Sequence, residues 1–273
     1  MAFLRIESPR NEKVRYARKL HRRSFRRRES RFLLEGPRLI LEGLSAGLTF
    51  SFFLFSPETF SPSAWPEVAR ALGTAAPAYE VSPQVLGLAA TTETPQGILA
   101  VAEKPRVSLE KALSSPAPLL VLDGVGDPGN LGTLVRAAEG LGAAGVVLGE
   151  GTADPYNPKV VRAAAGSLFR LPVAEAALEP LLREVRGRGR EVLVAAPRGG
   201  TPPWELDLSR DPVLVLGSEP RGVRPEVAEM ASGSVSIPLA LPVDSLNVAL
   251  AGGMILYEAR RQRERAGPVG REG

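Results

Sequence analysis

The second half of the chain alternates short apolar runs with stretches that carry apolar residues at helical spacing. Runs of this length, rich in Val and Leu, are typical of parallel strands buried on both faces. The alternation predicts an α/β fold with a doubly wound parallel sheet, whose ligands bind at the carboxyl ends of the strands. The predicted strands are Leu119–Asp123, Gly145–Leu148, Glu191–Ala195, Val213–Gly217 and Val235–Leu239; the predicted helices are Asn130–Leu141, Pro158–Ala165, Leu178–Arg186, Pro225–Met230 and Ser245 to about Arg263.

The first hundred residues mix helical and strand patterns and predict a smaller α/β domain. Residues 103–118 are polar, with three prolines and two adjacent serines, and so predict a linker. We therefore expect domains over residues 1–103 and 118–273, joined by a linker over 104–117. In the first domain we expect helices at Pro9–Leu20, Pro37–Gly47 and Pro57–Leu72, and strands at Arg31–Glu35, Phe50–Phe55 and Ile98–Val101.

The composition excludes several classes of protein and of active site. No apolar run approaches the ~18 residues that span a bilayer, and the N-terminus lacks the pattern of a signal peptide, so we expect a cytoplasmic protein without a membrane partner. The chain has no cysteine and one histidine, His21, which we expect on the surface of a basic helix. These counts exclude a thiolate nucleophile and Cys-ligated zinc, and they argue against a histidine metal site or a Ser-His-Asp triad.

Positive charge is concentrated at the N-terminus, although the whole chain carries a formal net charge of only +4. Residues 1–38 contain thirteen basic and four acidic residues, a local charge of +9 against −5 for the remainder. Arginine donors suit phosphate oxygens, so a polyanionic partner is favoured over a merely solvated helix face. The densest cluster comprises Arg22, Arg23, Arg26, Arg27 and Arg28.

Asparagine is scarce, and three of the four asparagines stand at the starts of predicted helices: Asn130, Asn157 and Asn247. Asparagine caps helices well, but Ser, Thr and Asp cap them too and are commoner in this chain. The use of the scarcer residue indicates that both the donor and the acceptor of its amide have partners.

The first candidate site follows the predicted strand Leu119–Asp123. Its glycines, Gly124, Gly126 and Gly129, fit the G-x-G-x-x-G pattern of dinucleotide-binding proteins, with Glu150 after the next strand. An NAD-dependent oxidoreductase is therefore one alternative. Pro128 opposes it, because proline removes a backbone N–H that a pyrophosphate needs, and the helix is expected to begin only at about Asn130.

Two further sites follow later strands. Gly217-Ser218-Glu219-Pro220-Arg221-Gly222 is a glycine-bounded turn that presents Glu219, and its glycines are expected to allow a ligand to approach the backbone. Ile237-Pro238-Leu239 leads towards Ser245-Leu246-Asn247, where a helix is expected to open. Each pattern alone is weak, but three in this order are far more specific.

Together with Asp127-Pro128-Gly129-Asn130-Leu131-Gly132 and Arg136, these segments resemble the three ordered motifs of the SpoU (TrmH) family of RNA ribose 2′-O-methyltransferases. The resemblance covers Leu119 to about Glu258, and residues 154–163 are similar to another stretch of the family. The N-terminal part resembles a substrate-binding extension of some members. Pro220 and Leu241-Pro242 depart from the family pattern, which usually has small residues there.

The resemblance implies a Rossmann-like sheet with a deep C-terminal trefoil knot, a homodimer, and S-adenosylmethionine as the cofactor. It places the cofactor against Gly217, Ile237 and Leu246, with Leu216, Leu239 and Asn247 nearby. It also implies that the basic cluster binds RNA, and the extension favours ribosomal over transfer RNA. A non-catalytic RNA-binding module is the other alternative, but it leaves the motifs without a role.

The resemblance assigns the catalytic position to Arg136, with Asn130, Glu219, Ser245 and Asn247 around the target ribose. Arginine is a poor base because its guanidinium retains its proton. With no His or Cys near the motifs, the proton acceptor is a carboxylate, a water or Arg136 itself. If Arg136 is not the base, it holds an RNA phosphate and stabilises charge on the 2′-oxygen.

Overall fold

The computed structural model describes residues 3–240 and 244–266. The chain divides into two compact units. The first unit extends to Arg106 and also includes Tyr156–Phe169; the second comprises Val107–Pro155 and the chain from Arg170 onward. The expected boundaries had assigned Tyr156–Phe169 to the second domain.

The first unit is built on a mixed five-stranded sheet of order β1-β4-β3-β5-β2. Strands β1, β4 and β3 are parallel, whereas β5 runs antiparallel to both of its neighbours. The strands are β1 Leu4–Ile6, β2 Arg31–Glu35, β3 Phe50–Phe55, β4 Ala78–Val81 and β5 Ile98–Glu103; the helices are α1 Glu12–Lys19, α2 Arg23–Glu29, α3 Pro37–Ser45, α4 Pro66–Ala71 and α5 Pro83–Ala89.

The core of the first unit lies on both sides of this sheet, because the central strands are apolar on both faces. Phe32 of β2 is fully buried, and its ring contacts the rings of Tyr156 and Phe169, with centroids 5.1 and 5.9 Å away. The segment Tyr156–Phe169 thus contributes aromatic residues to this core. It contains helix α8, Pro158–Ala164, and a 3-10 turn, Ser167–Phe169.

The second unit has a six-stranded sheet of order β11-β9-β10-β6-β7-β8, in which every pair is parallel. This confirms the predicted α/β class. The strands are β6 Leu119–Asp123, β7 Gly145–Leu148, β8 Val173–Glu175, β9 Val192–Ala195, β10 Val213–Gly217 and β11 Gly233–Val235; the helices are α6 Leu109–Leu113, α7 Pro128–Gly140, α9 Leu178–Gly187, α10 Pro225–Ala228 and α11 Val248–Ala266.

The order of these strands fixes where a ligand can bind. From β6 the chain builds the sheet in one direction through β7 and β8, and it then adds β9, β10 and β11 on the other side. The strand order therefore reverses between β6 and β10, where Asp123 pairs with Gly217 at the carboxyl ends. Such a switch point leaves a crevice open between diverging loops.

Several sequence expectations were wrong in detail. Helix α7 begins at Pro128, not at about Asn130, because proline is well accommodated in the first turn of a helix. Strand β11 ends at Val235, and the expected continuation to Leu239 is not a strand. Of the helix expected over Pro57–Leu72, only α4 forms, and the expected linker contains α6, whose Ala112 and Leu113 are buried.

The trefoil knot implied by the resemblance stays a prediction. The departure at Leu241-Pro242 lies outside the described residues. Across residues 3–240 and 244–266, no helix has the length and apolar character to cross a membrane.

Candidate functional site

A cavity of about 800 Å³ opens at the carboxyl ends of β9, β10 and β11. This volume is in the range of cavities that hold cofactors. Apolar side chains form much of its wall, and polar groups come from the turn after β10 and from the approach to α11. All the residues predicted to contact the cofactor line it: Leu216, Gly217, Ile237, Leu239, Leu246 and Asn247.

One wall of this cavity is formed by residues of the Glu219 turn, the segment Gly217–Arg224. Ser218 and Gly222 close it with two backbone hydrogen bonds, of 3.0 and 2.8 Å. A Cβ at Gly217 would lie 2.0 Å from the carbonyl carbon of Gly222. The glycine thus allows the chain to pack against its own backbone. The expectation that a ligand approaches the backbone of this turn stays a prediction.

Glu219 joins two asparagines that are distant in the sequence. Its Oε1 accepts hydrogen bonds from Nδ2 of Asn130 at 3.2 Å and from Nδ2 of Asn247 at 2.8 Å. Asn247 Nδ2 also lies 2.9 Å from Oδ1 of Asn130, which accepts from it. The first turn of α7, the Glu219 turn and the approach to α11 therefore meet at one carboxylate oxygen.

These contacts confirm that Asn130 and Asn247 use both sides of their amides. Asn247 Oδ1 accepts from the backbone N–H groups of Ala249 and Leu250, at 3.0 and 3.2 Å, and so caps α11. Asn130 is not a cap, because that role at α7 belongs to Asp127. Asn157 caps α8 through Lys159.

The loop after β6 is closed to a dinucleotide at the point where a pyrophosphate would bind. Asp127 Oδ1 accepts from the backbone N–H of Asn130 at 2.8 Å, so a carboxylate occupies the helix N-terminus that an anion needs. Gly124 and Gly126 face the backbone of Glu150 and Gly151, and Ala153 N–H donates to Val125 O at 3.0 Å. The oxidoreductase alternative therefore has no phosphate site here.

Arg136 and Ser245 are placed differently from the asparagines. Arg136 is exposed on α7 and does not line the cavity. Within the described ranges, its guanidinium makes no hydrogen bond or ion pair, so it is available to an anion. Ser245 is exposed at the cavity wall and, among the same residues, does not cap α11.

Buried charge supports the sheet edge beneath the cavity. Asp123 is almost fully buried and accepts two hydrogen bonds from Arg224, which ends the Glu219 turn. The hydrogen bond to Asp123 is the largest cause that raises the pKa of Arg224, and burial partly opposes it. Sequence reasoning missed this pair, since neither residue stood in a motif with an assigned role.

An exposed apolar surface on α11 was also missed. Leu250, Met254 and Tyr257 are 54%, 44% and 62% exposed, and Trp204, from the loop after β9, is 60% exposed. They line a hollow of about 570 Å³ together with Asn130 and Asn247. Contiguous apolar exposure of this kind marks an interaction surface.

The arginines of the basic cluster in the first unit differ in their exposure to solvent. Arg26 is only 2% exposed, and its Nη1 donates to the carbonyl oxygens of Leu20 and His21 at 2.7 and 2.8 Å. The prediction that Arg26 contacts RNA is therefore wrong, because its guanidinium is hydrogen-bonded to the carbonyl oxygens that follow α1. The remaining arginines of the cluster are exposed: Arg22, Arg23, Arg27 and Arg28.

His21 lies between α1 and α2 rather than on a helix, and its ring Nε2 is 2.9 Å from Ala89 O. In the part of the chain that the structure describes, no cluster of His, Cys, Asp and Glu has the arrangement of a metal site.

Comparison with known proteins identifies two segments. Residues 117–257 match the model of the SpoU rRNA Methylase family. Residues 11–100 match the model of an MRM3-like substrate binding domain.

Individual relatives cover nearly the whole chain. The 23S rRNA (guanosine(2553)-2′-O)-methyltransferase RlmP of Bacillus subtilis is 36% identical over 93% of this chain and 98% of its own length. An AdoMet-bound rRNA methyltransferase from Sinorhizobium meliloti has a TM-score of 0.82 and 31% identity, covering 94% and 97% of the two chains. The SpoU methyltransferase AviRb from Streptomyces viridochromogenes, in complex with AdoMet, has a TM-score of 0.82 and 28% identity, covering 93% and 99%.

Proposed function

The chain belongs to the SpoU rRNA methylase family, and from that premise we propose that it transfers a methyl group from S-adenosylmethionine to a ribose 2′-hydroxyl of RNA. The observation that carries this proposal is the meeting of Asn130, Glu219 and Asn247 beside the 800 Å³ cavity. It unites residues from the three motifs, at the place where a parallel sheet binds ligands.

S-adenosylmethionine fits the chemistry of the cavity wall. Leu216, Leu239 and Leu246 offer apolar contacts to an adenine ring, and the Glu219 turn offers backbone polar groups. When bound, the cofactor supplies a methyl group on a positively charged sulfur, already activated for transfer. The protein then has to position the ribose, and the 2′-hydroxyl proton has to pass to a carboxylate or to water, because the Arg136 guanidinium keeps its own proton.

Arg136 is the group that we assign to the RNA side of the reaction. It is exposed on α7, the helix that also carries Asn130, and it has no partner among the described residues. We propose that its guanidinium holds an RNA phosphate and stabilises negative charge on the 2′-oxygen as the methyl group is transferred. Ser245, at the cavity wall, contributes to the pocket for the ribose.

Ribosomal RNA is the substrate that we favour over transfer RNA. The supporting observations are the match of residues 11–100 to a substrate-binding domain and the 23S rRNA named as the substrate of the Bacillus subtilis relative. A ribosomal substrate also supports the expected cytoplasmic location. Arg22, Arg23, Arg27 and Arg28 then supply phosphate contacts that set affinity without reading the sequence.

The decisive experiment is transfer of a labelled methyl group from S-adenosylmethionine into ribosomal RNA, followed by mapping of the modified ribose. Arg136→Ala should lower kcat by at least about 100-fold and leave the Kd for S-adenosylmethionine within about twofold. Arg183→Ala, which removes another exposed arginine of the same unit, should keep full activity. Absence of transfer by the unaltered chain, with NAD rather than S-adenosylmethionine raising its Tm, would overturn the proposal.

The RNA-binding assignment has its own test. Replacing Arg22, Arg23 and Arg27 with Gln should weaken RNA binding and reduce the slope of log Kd against log salt by roughly 0.7 to 0.9 for each phosphate that the variant no longer neutralises. Arg70→Gln, an exposed arginine of α4, is the control and should change neither quantity. An unchanged salt slope in the triple variant would remove the cluster from the RNA interface.

We also propose a homodimer that covers the apolar surface of Trp204, Leu250, Met254 and Tyr257. The area is contiguous with Asn130 and Asn247, so a second copy would close one side of the site. Leu250→Arg should convert a dimer to a monomer in sedimentation velocity and lower activity. Leu88→Arg alters an exposed leucine of the first unit and should leave the dimer intact; a monomeric unaltered chain would contradict the assignment.

A further inference from the structure

The Glu219 turn is attached to strand β6 at both of its ends. At its start, Gly217 continues β10 and pairs in register with Asp123, the last residue of β6. At its end, the backbone N–H of Arg224 donates to Oδ2 of Asp123 at 2.8 Å, and Nε of Arg224 donates to Oδ1 at 2.8 Å. One carboxylate therefore receives two donors from the residue that closes the turn.

The Asp123 carboxylate is built into the fold rather than offered to a ligand. Its side chain is 1% exposed, whereas that of Arg224 is 36% exposed. A buried carboxylate needs such donors, because ionised oxygens removed from water are costly without them. The other end of the guanidinium is held more loosely, with Nη1 3.5 Å from carboxylate oxygens of both Glu179 and Glu226.

The turn that this pair holds is a wall of the proposed cofactor cavity. Residues Gly217 to Gly222 all line that cavity, but neither Asp123 nor Arg224 does. Within the turn, Ser218 and Gly222 hydrogen-bond to each other, so a displacement of Arg224 is transmitted to the whole loop. On its other side, Glu219 is held by Asn130 and Asn247, which belong to different elements.

We propose that Asp123 is a positioning residue for cofactor binding, which acts through Arg224 to hold the Glu219 turn against the cavity. The inference rests on the proposed function, in which this cavity holds S-adenosylmethionine. It assigns to a residue outside the three motifs the task of keeping one cavity wall in its binding conformation before the cofactor arrives.

The test is Asp123→Asn, which keeps the shape of the side chain but removes its charge and turns an amide donor towards one of the Arg224 donors. We expect the Kd and KM for S-adenosylmethionine to rise about tenfold, with the KM for RNA changed less than about twofold. We expect kcat at saturating cofactor to fall less than about threefold, since Glu219 is also held by Asn130 and Asn247 and does not depend on Asp123 alone.

Arg190→Lys is the control for general loss of stability. Arg190 is buried in the same unit, and its guanidinium donates to the carbonyl oxygens of Leu113, Ala117 and Asp211, away from the turn. Its replacement should lower Tm but leave the Kd for S-adenosylmethionine unchanged. Glu226→Gln, which alters only the loose end of the Arg224 guanidinium, should also bind normally.

Amide hydrogen exchange without any ligand separates this inference from the proposed function. Asp123→Asn should accelerate exchange at Ser218 and Gly222 by about tenfold or more, and Arg190→Lys should not. The inference is overturned if folded Asp123→Asn keeps normal exchange and cofactor affinity, or if Arg190→Lys loses affinity equally. Failure of the unaltered chain to transfer methyl groups would instead count against the proposed function, with the exchange result still standing.

Discussion

The loop after β6 and the Glu219 turn after β10 are both glycine-rich, and both leave neighbouring strands at the same edge of the sheet. The first, residues 124–129, fits a dinucleotide-binding pattern, whereas the second fits none. Yet the first is packed against the loop after β7 and closed by the Asp127 carboxylate, and the second borders a large cavity.

The difference lies in what the glycines and backbone donors contact. In the first loop, a helix N-terminus that suits an anion is already occupied by an acidic side chain. In the Glu219 turn, Gly217 permits a tight self-contact, and this contact holds the turn at the rim of the cavity. Glycine spacing therefore identifies tight loops. Whether such a loop can contact a ligand depends on whether its backbone donors and the space beside it are already filled by the protein itself.

The largest effect expected from this comparison is that of Gly217→Ala, set against Gly126→Ala. A Cβ at Gly217 meets backbone at 2.0 Å, but one at Gly126 meets nothing closer than 3.8 Å. We expect Gly217→Ala to weaken S-adenosylmethionine binding by at least about 100-fold because the turn cannot close. Gly126→Ala should bind normally in calorimetry; the opposite ranking would restore the fingerprint interpretation of the first loop.

A smaller effect separates the two asparagines that bridge these regions. Asn247→Ala removes a donor to Glu219 and also the hydrogen bonds to the backbone N–H groups that cap α11. Asn130→Ala removes only hydrogen bonds to other side chains. We expect Asn247→Ala to lower the free energy of unfolding by about 1 kcal/mol more than Asn130→Ala does. Urea denaturation of both variants measures this difference, and equal losses would contradict the capping role.

Replacement of Asp127 gives a third test of the difference between the two loops. Asp127→Ala should destabilise the protein by about 1 kcal/mol, a fall in Tm of roughly 2 to 4 °C, whereas Asp127→Asn should retain the cap. Differential scanning calorimetry gives both values. Neither variant should acquire NAD binding; measurable NAD affinity in Asp127→Ala would show that the carboxylate alone had masked a dinucleotide site.

The smallest effect concerns Glu258 of α11, which does not line the cofactor cavity. Hydrogen bonds from Arg261, above all, lower the pKa of Glu258 to about 2, and burial partly opposes this shift. A lowered pKa stabilises the fold at pH values above the ordinary range of the group, and that contribution is lost as pH falls towards 2. Glu258→Gln should therefore flatten the fall in Tm between about pH 4.5 and 2 without changing cofactor affinity at neutral pH. An unchanged acid profile would contradict the role of Glu258.

Buried parallel strands were the most predictable part of the fold. Three strands were predicted with the bounds that the structure gives: Leu119–Asp123, Gly145–Leu148 and Val213–Gly217. A short continuous apolar run is typical of a strand that is buried on both faces. The short strands Leu4–Ile6, Ala78–Val81 and Val173–Glu175 were missed. Each of these is only three or four residues long and, unlike Gly145–Leu148, contains a charged residue, so it does not stand out as an apolar run.

The error at Val235–Leu239 arises where the chain leaves the sheet and borders the cavity. Ile237 and Leu239 are apolar, as in a strand, but they line the cavity instead of continuing the sheet. Between them, Pro238 cannot donate to a strand ladder. Sequence alone does not distinguish an apolar side chain that belongs to a strand from one that lines a cavity.

The residues of the candidate site were predicted more fully than the hydrogen bonds that join them. Scarcity pointed to Asn130 and Asn247, but nothing in the sequence indicated that both donate to Glu219. At Arg26 the role of the residue itself was predicted wrongly. In the sequence it is one arginine of a dense cluster, but in the structure its side chain is buried. Charge density predicts a surface only on average, because individual guanidinium groups also satisfy carbonyl oxygens at helix ends.

The segment Tyr156–Phe169 has a consequence for chimaeras made between members of the family. The first unit is discontinuous in sequence, and fully buried Phe32 has ring partners at both ends of this insert. Arg162, within the insert, also donates to Thr91 Oγ1 at 2.9 Å. A donor domain joined at Arg106 alone would meet an insert whose aromatic residues pack for another protein, so the first unit consists of two pieces of chain that must be exchanged together.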